Sequence, residues 1–238
     1  MTSDIDRSGL PSDGDHEIKL VLPNGAARSL VQWLRSRCWP DPLYPAATVS
    51  SIYYDTRDWR LLREKVNSDF LKTKVRLRWY SDLDGSKPQD QSYLELKRRV
   101  GSQRQKLRVE TDLSGGWLSR SGLAAPRLLS LPRLLRTRGI GLPGPLFPVF
   151  QVRYKRLRFA EPQTGARLCV DYDICAPRVN WQMLPRANRF QLRYAVLEVK
   201  GRDAEIPEPL RRVATLGCRK RSFSKYAICY QKIMNAAF

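Results

Sequence analysis

Residues 106–110 read KLRVE, and charged and apolar side chains alternate along the whole stretch. Successive side chains of a β-strand point to opposite faces of its sheet, so the pattern predicts a strand with one charged and one apolar face. The alternation recurs as EIK at 17–19, RLR at 76–78, ELK at 95–97 and EVK at 198–200. Five segments therefore place Lys, Arg and Glu together on one side of a strand.

The same periodicity predicts eight strands in all. They cover residues 15–22, 48–55, 70–81, 92–99, 105–112, 147–160, 166–175 and 190–201. Helices are predicted at 26–38, 207–216 and 224–236, with Ser224 as the N-cap of the last. Residues 114–145, rich in Leu, Arg, Gly and Pro, read as an insertion of helices and loops.

Eight antiparallel strands predict a mainly β fold with flanking helices (α+β), built on a closed eight-stranded antiparallel β-barrel that forms a tunnel. We expect residues 1–14 to be a disordered tail. We expect residues 15–238 to form a single domain, with helices packed outside the barrel.

The charge balance predicts a polyanionic partner. Lys and Arg number 43 against 23 Asp and Glu, which gives a formal net charge of +20. Such an excess suits nucleic acid, an anionic membrane surface or a phosphate-rich small molecule. Composition alone leaves these three classes open.

Several kinds of chemistry are disfavoured by the residue inventory. His16 is the only histidine, which excludes a multi-histidine metal site. The five cysteines are scattered and form no CxxC pair, so neither zinc ligation nor a disulfide framework is expected. Residues 1–15 are polar and no apolar run approaches membrane-spanning length, so we expect no signal peptide and a cytoplasmic protein.

The charged strand faces allow two interpretations. Solvent-exposed faces of ordinary amphipathic strands are the simpler reading of any one segment. Five strands with the same pattern favour charges that line a wet tunnel, with the apolar residues packed outside beneath helices.

A series of short motifs, in order along residues 15–232, resembles the triphosphate tunnel metalloenzyme (CYTH-like) superfamily and, within it, the VTC domain, the polyphosphate polymerase branch. They read DHEIK at 15–19, SIYYDT at 51–56, KVRLRWY at 74–80, LELK at 94–97, RYKR at 153–156 with RLCVD at 167–171, LEVK at 197–200 and FSKY at 223–226. The transmembrane and phosphate-sensing parts of eukaryotic VTC proteins have no counterpart here, so the resemblance is to a stand-alone, bacterial-type module.

This resemblance implies a set of site residues. The implied phosphate ligands are Lys19, Arg76, Arg78, Lys97, Lys106, Arg108, Arg156, Arg167, Lys200, Ser224 and Lys225. Among them, the residues implied to be catalytic are Lys19, Arg76, Arg78, Lys97, Arg156 and Lys225. Glu198, assisted by Glu17, is implied to hold a divalent metal ion, Mn²⁺ or Mg²⁺. Salt bridges within the strands are the alternative role for these glutamates, and for Glu95 in particular.

The implied activity is transfer of the γ-phosphate of ATP to a growing polyphosphate chain. Hydrolysis of inorganic or nucleoside triphosphate in the same fold is the first alternative, and a non-catalytic module that binds polyanions or nucleic acid is the second. We expect no specific nucleic acid partner, because acidic residues share the basic faces. Membrane association is expected only through a partner protein, although residues 126–138 are basic and amphipathic.

Overall fold

A computed structural model describes residues 16–67, 69–185, 187 and 190–234. The predicted tail at 1–14, together with Asp15 and the end of the last predicted helix, lies outside these residues. In chain order the strands are β1 His16–Pro23, β2 Trp39–Pro40, β3 Ala46–Asp55, β4 Leu71–Ser81, β5 Pro88–Val100, β6 Gln103–Thr111, β7 Phe147–Ala160, β8 Arg167–Val179, β9 Phe190–Gln191, β10 Tyr194–Gly201 and β11 Arg219–Lys220.

The helices lie between and after these strands. They are α1 Ala27–Arg35, α2 Arg60–Val66, α3 Gly115–Arg120, α4 Pro126–Ser130, α5 Arg133–Arg136 and α6 Lys225–Met234, with 3-10 helices at Asn24–Ala26 and Glu208–Leu216. None of these helices is long and apolar enough to cross a membrane.

The chain divides into two compact units. Unit 1 comprises Met1–Pro45, Leu157–Tyr172 and Arg193–Phe223, and unit 2 comprises Ala46–Arg156, Asp173–Leu192 and Ser224–Phe238. The long strands β7 and β8 contribute residues to both. The prediction of a single domain over 15–238 stays a prediction.

Unit 1 is built around β1, whose neighbours in the sheet are β10 and β11, and β10 in turn pairs with β8. All these pairs are antiparallel. Helix α1 buries Leu30, Val31 and Leu34, the apolar stripe that predicted it. The 3-10 helix that follows Pro207 ends at Gly217, which adopts a φ of 78° that glycine tolerates at little cost.

Unit 2 contains the antiparallel run β3-β4-β5-β6, with β7 beside β3. One face of this run is apolar and packs beneath the helices of the predicted insertion. Its buried cluster includes Val75, Leu77, Leu94 and Leu96 from the strands, joined by Leu118, Leu128 and Leu135 from α3, α4 and α5. The Tyr54 hydroxyl donates a hydrogen bond to the carbonyl of Leu128, 3.0 Å away, which ties α4 to β3.

The α+β class and the antiparallel arrangement are confirmed, and eight of the eleven strands are longer than two residues. The structure differs from the prediction in the closure of the barrel. In the part of the chain that the structure describes, strand pairing ends at β11 and at β6, so the sheet is not a closed barrel. β11 is only two residues long and offers few backbone groups for a further strand, and charged side chains such as Arg104 protect the edge strand β6 from pairing.

Candidate functional site

The side of β4, β5 and β6 opposite the apolar cluster carries charged residues in rows across the three strands. In one row, Arg76 lies opposite Glu95, and Glu95 lies opposite Arg108. Directly paired residues in an antiparallel sheet point to the same face. We call this surface of unit 2 the cationic face.

Glu95 is the centre of an ion-pair cluster on the cationic face. Its carboxylate lies 2.7 Å from Arg76 Nε, 3.7 Å from Arg78 Nη1 and 3.9 Å from Arg108 Nε. Burial by itself would raise the pKa of Glu95, but Arg76, Arg78 and Arg108 outweigh it and lower the pKa to about 2. The carboxylate therefore holds three guanidinium groups in place and remains ionised.

The next row toward the β5–β6 turn contains only lysines. Lys74 lies opposite Lys97, and Lys97 lies opposite Lys106. The row beyond it is formed by Lys72, Arg99 and Arg104, so the positive charge continues to the end of the strands.

A second group of cations surrounds Tyr154, which is buried on β7. Arg78 Nη2 lies 3.4 Å from the Tyr154 hydroxyl, and Lys225 Nζ and the Arg156 guanidinium lie 4.8 and 5.4 Å from the centre of its ring. Arg78 also donates from Nε to the Ser51 hydroxyl at 3.1 Å. None of the three cations is more than 9% exposed. The face of an aromatic ring stabilises nearby cations, here Lys225 and Arg156, while the Tyr154 hydroxyl accepts from Arg78.

Helix α6 positions Lys225 through the residues on either side of it. The Ser224 hydroxyl accepts a hydrogen bond from the Ala227 backbone N–H at 3.4 Å, as an N-cap does. The Tyr226 ring stacks on Tyr53 at 4.9 Å, and its hydroxyl donates to the Asp55 carboxylate at 2.6 Å. Burial raises the pKa of Asp55, and backbone N–H groups of α2 partly offset this by donating to its carboxylate.

Unit 1 has its own charged face, formed by β1, β10 and β8. Glu17 lies opposite Lys200, which in turn lies opposite Arg167, and Lys19 lies opposite Glu198. The alternate residues of these strands, Ile18, Val199 and Leu168, are buried apolar side chains. We call this surface the mixed face, because acidic and basic residues alternate on it.

Each glutamate of the mixed face neighbours a lysine. Lys19 Nζ lies 3.4 Å from Glu17 and 3.3 Å from the carbonyl of Phe223. Glu198 is 7% exposed, so its carboxylate is largely withdrawn from bulk water.

The two glutamates fit a divalent metal ion held together with a substrate. They are diagonal neighbours on one face, because Glu17 pairs with Lys200, two residues from Glu198. The described residues contain no cluster of three or more acidic, cysteine or histidine side chains that could hold a metal ion. Mg²⁺ needs no such cluster, since it is commonly bound by one or two carboxylates, waters and phosphate oxygens.

The structure distributes the predicted site residues over the two units. Unit 2 brings together the predicted ligands Arg76, Arg78, Lys97, Lys106, Arg108, Arg156, Ser224 and Lys225, and unit 1 brings together Glu17, Lys19, Arg167, Glu198 and Lys200. Their roles as ligands stay predictions.

Two further residues belong to these groups and were not predicted. Lys74 completes the lysine row, and its place in KVRLRWY was a usable signal because it alternates with Arg76. Tyr154 lies in RYKR, two residues before the predicted ligand Arg156, but its contacts with Arg78 and Lys225 were not predictable because those residues are far from it in sequence.

The antiparallel α+β fold and its charged strand faces are consistent with the triphosphate tunnel metalloenzyme class, a fold that implies use of a divalent metal ion. Residues 15–115 and 143–234 match the model of the VTC domain. The chain therefore belongs to the VTC domain family. The gap in the match falls on α3, α4 and α5.

One solved structure agrees with this fold. The chain is similar to a Bacillus halodurans protein provisionally described as an adenylate cyclase, with a TM-score of 0.51, 14% identity, and coverage of 89% of this chain and 95% of that one. A Vibrio parahaemolyticus protein with the same provisional description gives a TM-score of 0.46, 14% identity, and coverage of 94% and 99%. At this identity the first likeness concerns the fold alone. No curated protein sequence matches the chain.

Proposed function

We propose that the protein is a metal-dependent phosphotransferase that extends a polyphosphate chain with the γ-phosphate of ATP. The observation that carries this proposal is the succession of cationic rows on β4, β5 and β6. Residues two apart on a strand are about 7 Å apart. The rows therefore offer positive charge at repeated intervals, as an extended polyanion requires.

The lysine row adds a local feature to the net charge. Lys74, Lys97 and Lys106 bring three compact ammonium groups into one row of the sheet, where they bind a phosphate group in this proposal. Arginine offers planar bidentate contacts and lysine a compact charge, so the neighbouring Arg76 and Arg108 complement this row.

Glu95 has a positioning role in this proposal. A carboxylate in direct contact with a phosphate would repel it, but Glu95 is surrounded by the guanidinium groups of three arginines. It fixes those groups and leaves their outer N–H donors for the substrate.

We further propose that Glu198 and Glu17 hold the divalent metal ion, Mn²⁺ or Mg²⁺. When bound, such an ion neutralises phosphate charge and polarises phosphoryl oxygens. Lys19 and Lys200, which lie opposite the two glutamates, bind phosphate oxygens in the same proposal.

The remaining chemistry needs little covalent help from the protein. Phosphoryl transfer depends on positioning and on charge stabilisation. A terminal phosphate acceptor is already ionised near neutral pH, so a chain with one histidine lacks nothing essential for this reaction. In this proposal the chain end is bound by Lys225, which lies at the start of α6 against the Tyr154 ring.

The direct test is to incubate the purified protein with ATP and Mn²⁺ and to resolve orthophosphate, ADP, cyclic AMP and polyphosphate. We expect ADP and polyphosphate to accumulate in proportion to each other. The Glu198→Gln variant should produce neither. Orthophosphate as the only phosphate product would make the protein a triphosphatase. Cyclic AMP would assign it the reaction for which its structural neighbours are named.

Lys225→Ala separates chain extension from substrate binding. We expect triphosphate affinity to fall only a few-fold, because many other cations remain, while polyphosphate becomes shorter or absent. Lys232→Ala, an exposed lysine of the same helix, is the matched control. Equal product lengths from both variants would remove Lys225 from the extension step.

A further inference from the structure

A short loop of unit 1 exposes three large apolar side chains. Residues 39–45 read WPDPLYP, and Trp39, Leu43 and Tyr44 are 66%, 76% and 54% exposed. Single exposed apolar residues are ordinary, but several within one short segment mark a surface that contacts a partner or a membrane. We call these residues the apolar loop.

Hydrogen bonds hold the backbone of the apolar loop in one conformation. Asp41 Oδ1 accepts from the backbone N–H groups of Leu43 at 3.0 Å and of Tyr44 at 2.7 Å. The Asp41 N–H donates to the carbonyl of Arg158 at 3.0 Å, and Arg158 Nη1 donates to the carbonyl of Tyr44 at 2.9 Å. The apolar side chains are therefore presented by an ordered loop, which lowers the entropic cost of binding.

Positive charge flanks the apolar loop. Arg35 and Arg37 precede it and are exposed, and the Arg158 guanidinium lies 6.0 Å from the centre of the Tyr44 ring. Asp41 is the only acidic residue between positions 35 and 45, and its carboxylate is engaged by the loop backbone. The surface thus combines exposed Trp, Tyr and Leu with arginine.

We propose that the apolar loop binds the surface of an anionic lipid bilayer. Trp and Tyr favour the interface between headgroups and acyl chains, Leu43 supplies aliphatic contact with the acyl chains, and arginines attract anionic headgroups. A nucleic acid fits less well, because Leu43, the most exposed of the three, has no ring on which a base could stack. This contact needs no partner protein, unlike the association that the sequence led us to expect.

Co-sedimentation of the full chain with vesicles of phosphatidylcholine and phosphatidylserine, in a ratio of about two to one, tests the proposal. A chain of charge +20 adheres to such vesicles at low salt whatever its loops do, so binding is measured at about 0.3 M salt, where surface attraction is screened. Trp39→Ser, Leu43→Ser and Tyr44→Ser combined leave the charge unchanged. Phe70→Ser with Trp181→Ser, which alters exposed aromatic residues of unit 2, is the control.

We expect the triple variant to bind about tenfold more weakly than wild type, because the apolar contacts are lost, and the control to bind as wild type does. Unchanged circular dichroism and melting temperature would show that both variants fold. Equal vesicle binding by the triple variant and wild type would overturn the proposal. It would also be overturned if the triple variant lost only self-association or oligonucleotide binding while its vesicle binding was unchanged.

Discussion

The cationic face of unit 2 and the mixed face of unit 1 arise from the same alternation of charged and apolar residues, yet their carboxylates are in different surroundings. Glu95 contacts three arginines, and its pKa falls to about 2. Glu17 and Glu198 each lie opposite one lysine across a strand pair. An E-x-K motif therefore does not define a role by itself.

The residues opposite each glutamate on neighbouring strands account for this difference. Arginines of β4 and β6 lie opposite Glu95, so its negative charge is balanced by positive charges of the protein itself. Across from Glu198 lie Lys19 on one side and Cys169 on the other, which supplies no charge-assisted donor. We expect the first carboxylate to stabilise the fold and the second to serve catalysis.

Glu198→Gln is expected to have the largest effect on activity. Because the amide is a poor ligand for a hard cation, Mn²⁺-dependent turnover of ATP should fall by about two orders of magnitude or more. The fold should remain intact, as judged by circular dichroism and melting temperature. Glu205→Gln, an exposed glutamate of unit 1, is the control and should retain activity. Near-normal turnover by Glu198→Gln would assign Glu198 to a structural salt bridge.

Glu95→Gln should mainly reduce the stability of the fold. Removing the charge leaves three arginines without their common counter-charge, so the free energy of unfolding should fall by about 3 kcal/mol. Tripolyphosphate binding should change much less than stability, because the loss of ordering among the arginines is offset by removal of a negative charge from the cationic face. Denaturant titration and calorimetry measure the two quantities. Glu110→Gln, exposed on the same face, is the control and should change stability little.

The pH dependence of stability provides an independent check on Glu95. Its pKa is lower in the folded protein than in the unfolded chain, so its contribution is present above the unfolded value, near 4.5, and is lost as pH falls toward about 2. That contribution is about 3 kcal/mol at neutral pH. Wild type and Glu95→Gln should therefore differ less in unfolding free energy at pH 2 than at pH 7. A constant difference would argue against this role.

Arg76→Ala and Arg78→Ala should each weaken tripolyphosphate binding by about 1.5–3 kcal/mol, the scale of a hydrogen bond to a charged group. Arg127→Ala and Arg136→Ala alter exposed arginines of the inserted helices and should change mainly nonspecific binding and its salt dependence. Calorimetry at two salt concentrations separates the two effects. Losses of equal size from both pairs would favour a general polyanion surface over a defined site.

Much of this fold could be predicted from sequence, because alternation reports the two faces of a strand directly. Seven of the eight predicted strands correspond to single long strands that differ only at their ends. The eighth, predicted at 190–201, is divided into β9 Phe190–Gln191 and β10 Tyr194–Gly201, because residues 192–193 leave the strand. Helix α2 at Arg60–Val66 was not predicted. Its N-terminal N–H groups are satisfied by Asp55, a residue of the preceding strand, and Trp59 before it has a φ of 60°. These features are not visible in local helix propensity.

The candidate site was predictable only in part. Residue type and the family resemblance identified most of its cations, but the row that Lys74 forms with Lys97 and Lys106 depends on the register of three strands. The grouping of cations around Tyr154 depends on contacts between distant parts of the chain. Sequence alternation fixes which face a residue occupies, but not which residue lies opposite it.

The lysine row offers the most direct test of the claim that the cationic face binds phosphate. The variant combines Lys74→Gln, Lys97→Gln and Lys106→Gln, and the measurement is its melting temperature with and without tripolyphosphate. We expect the variant to fold and to lose most of the stabilisation by tripolyphosphate, because three cations of the cationic face are gone. A folded variant that tripolyphosphate stabilises as much as wild type would contradict the claim.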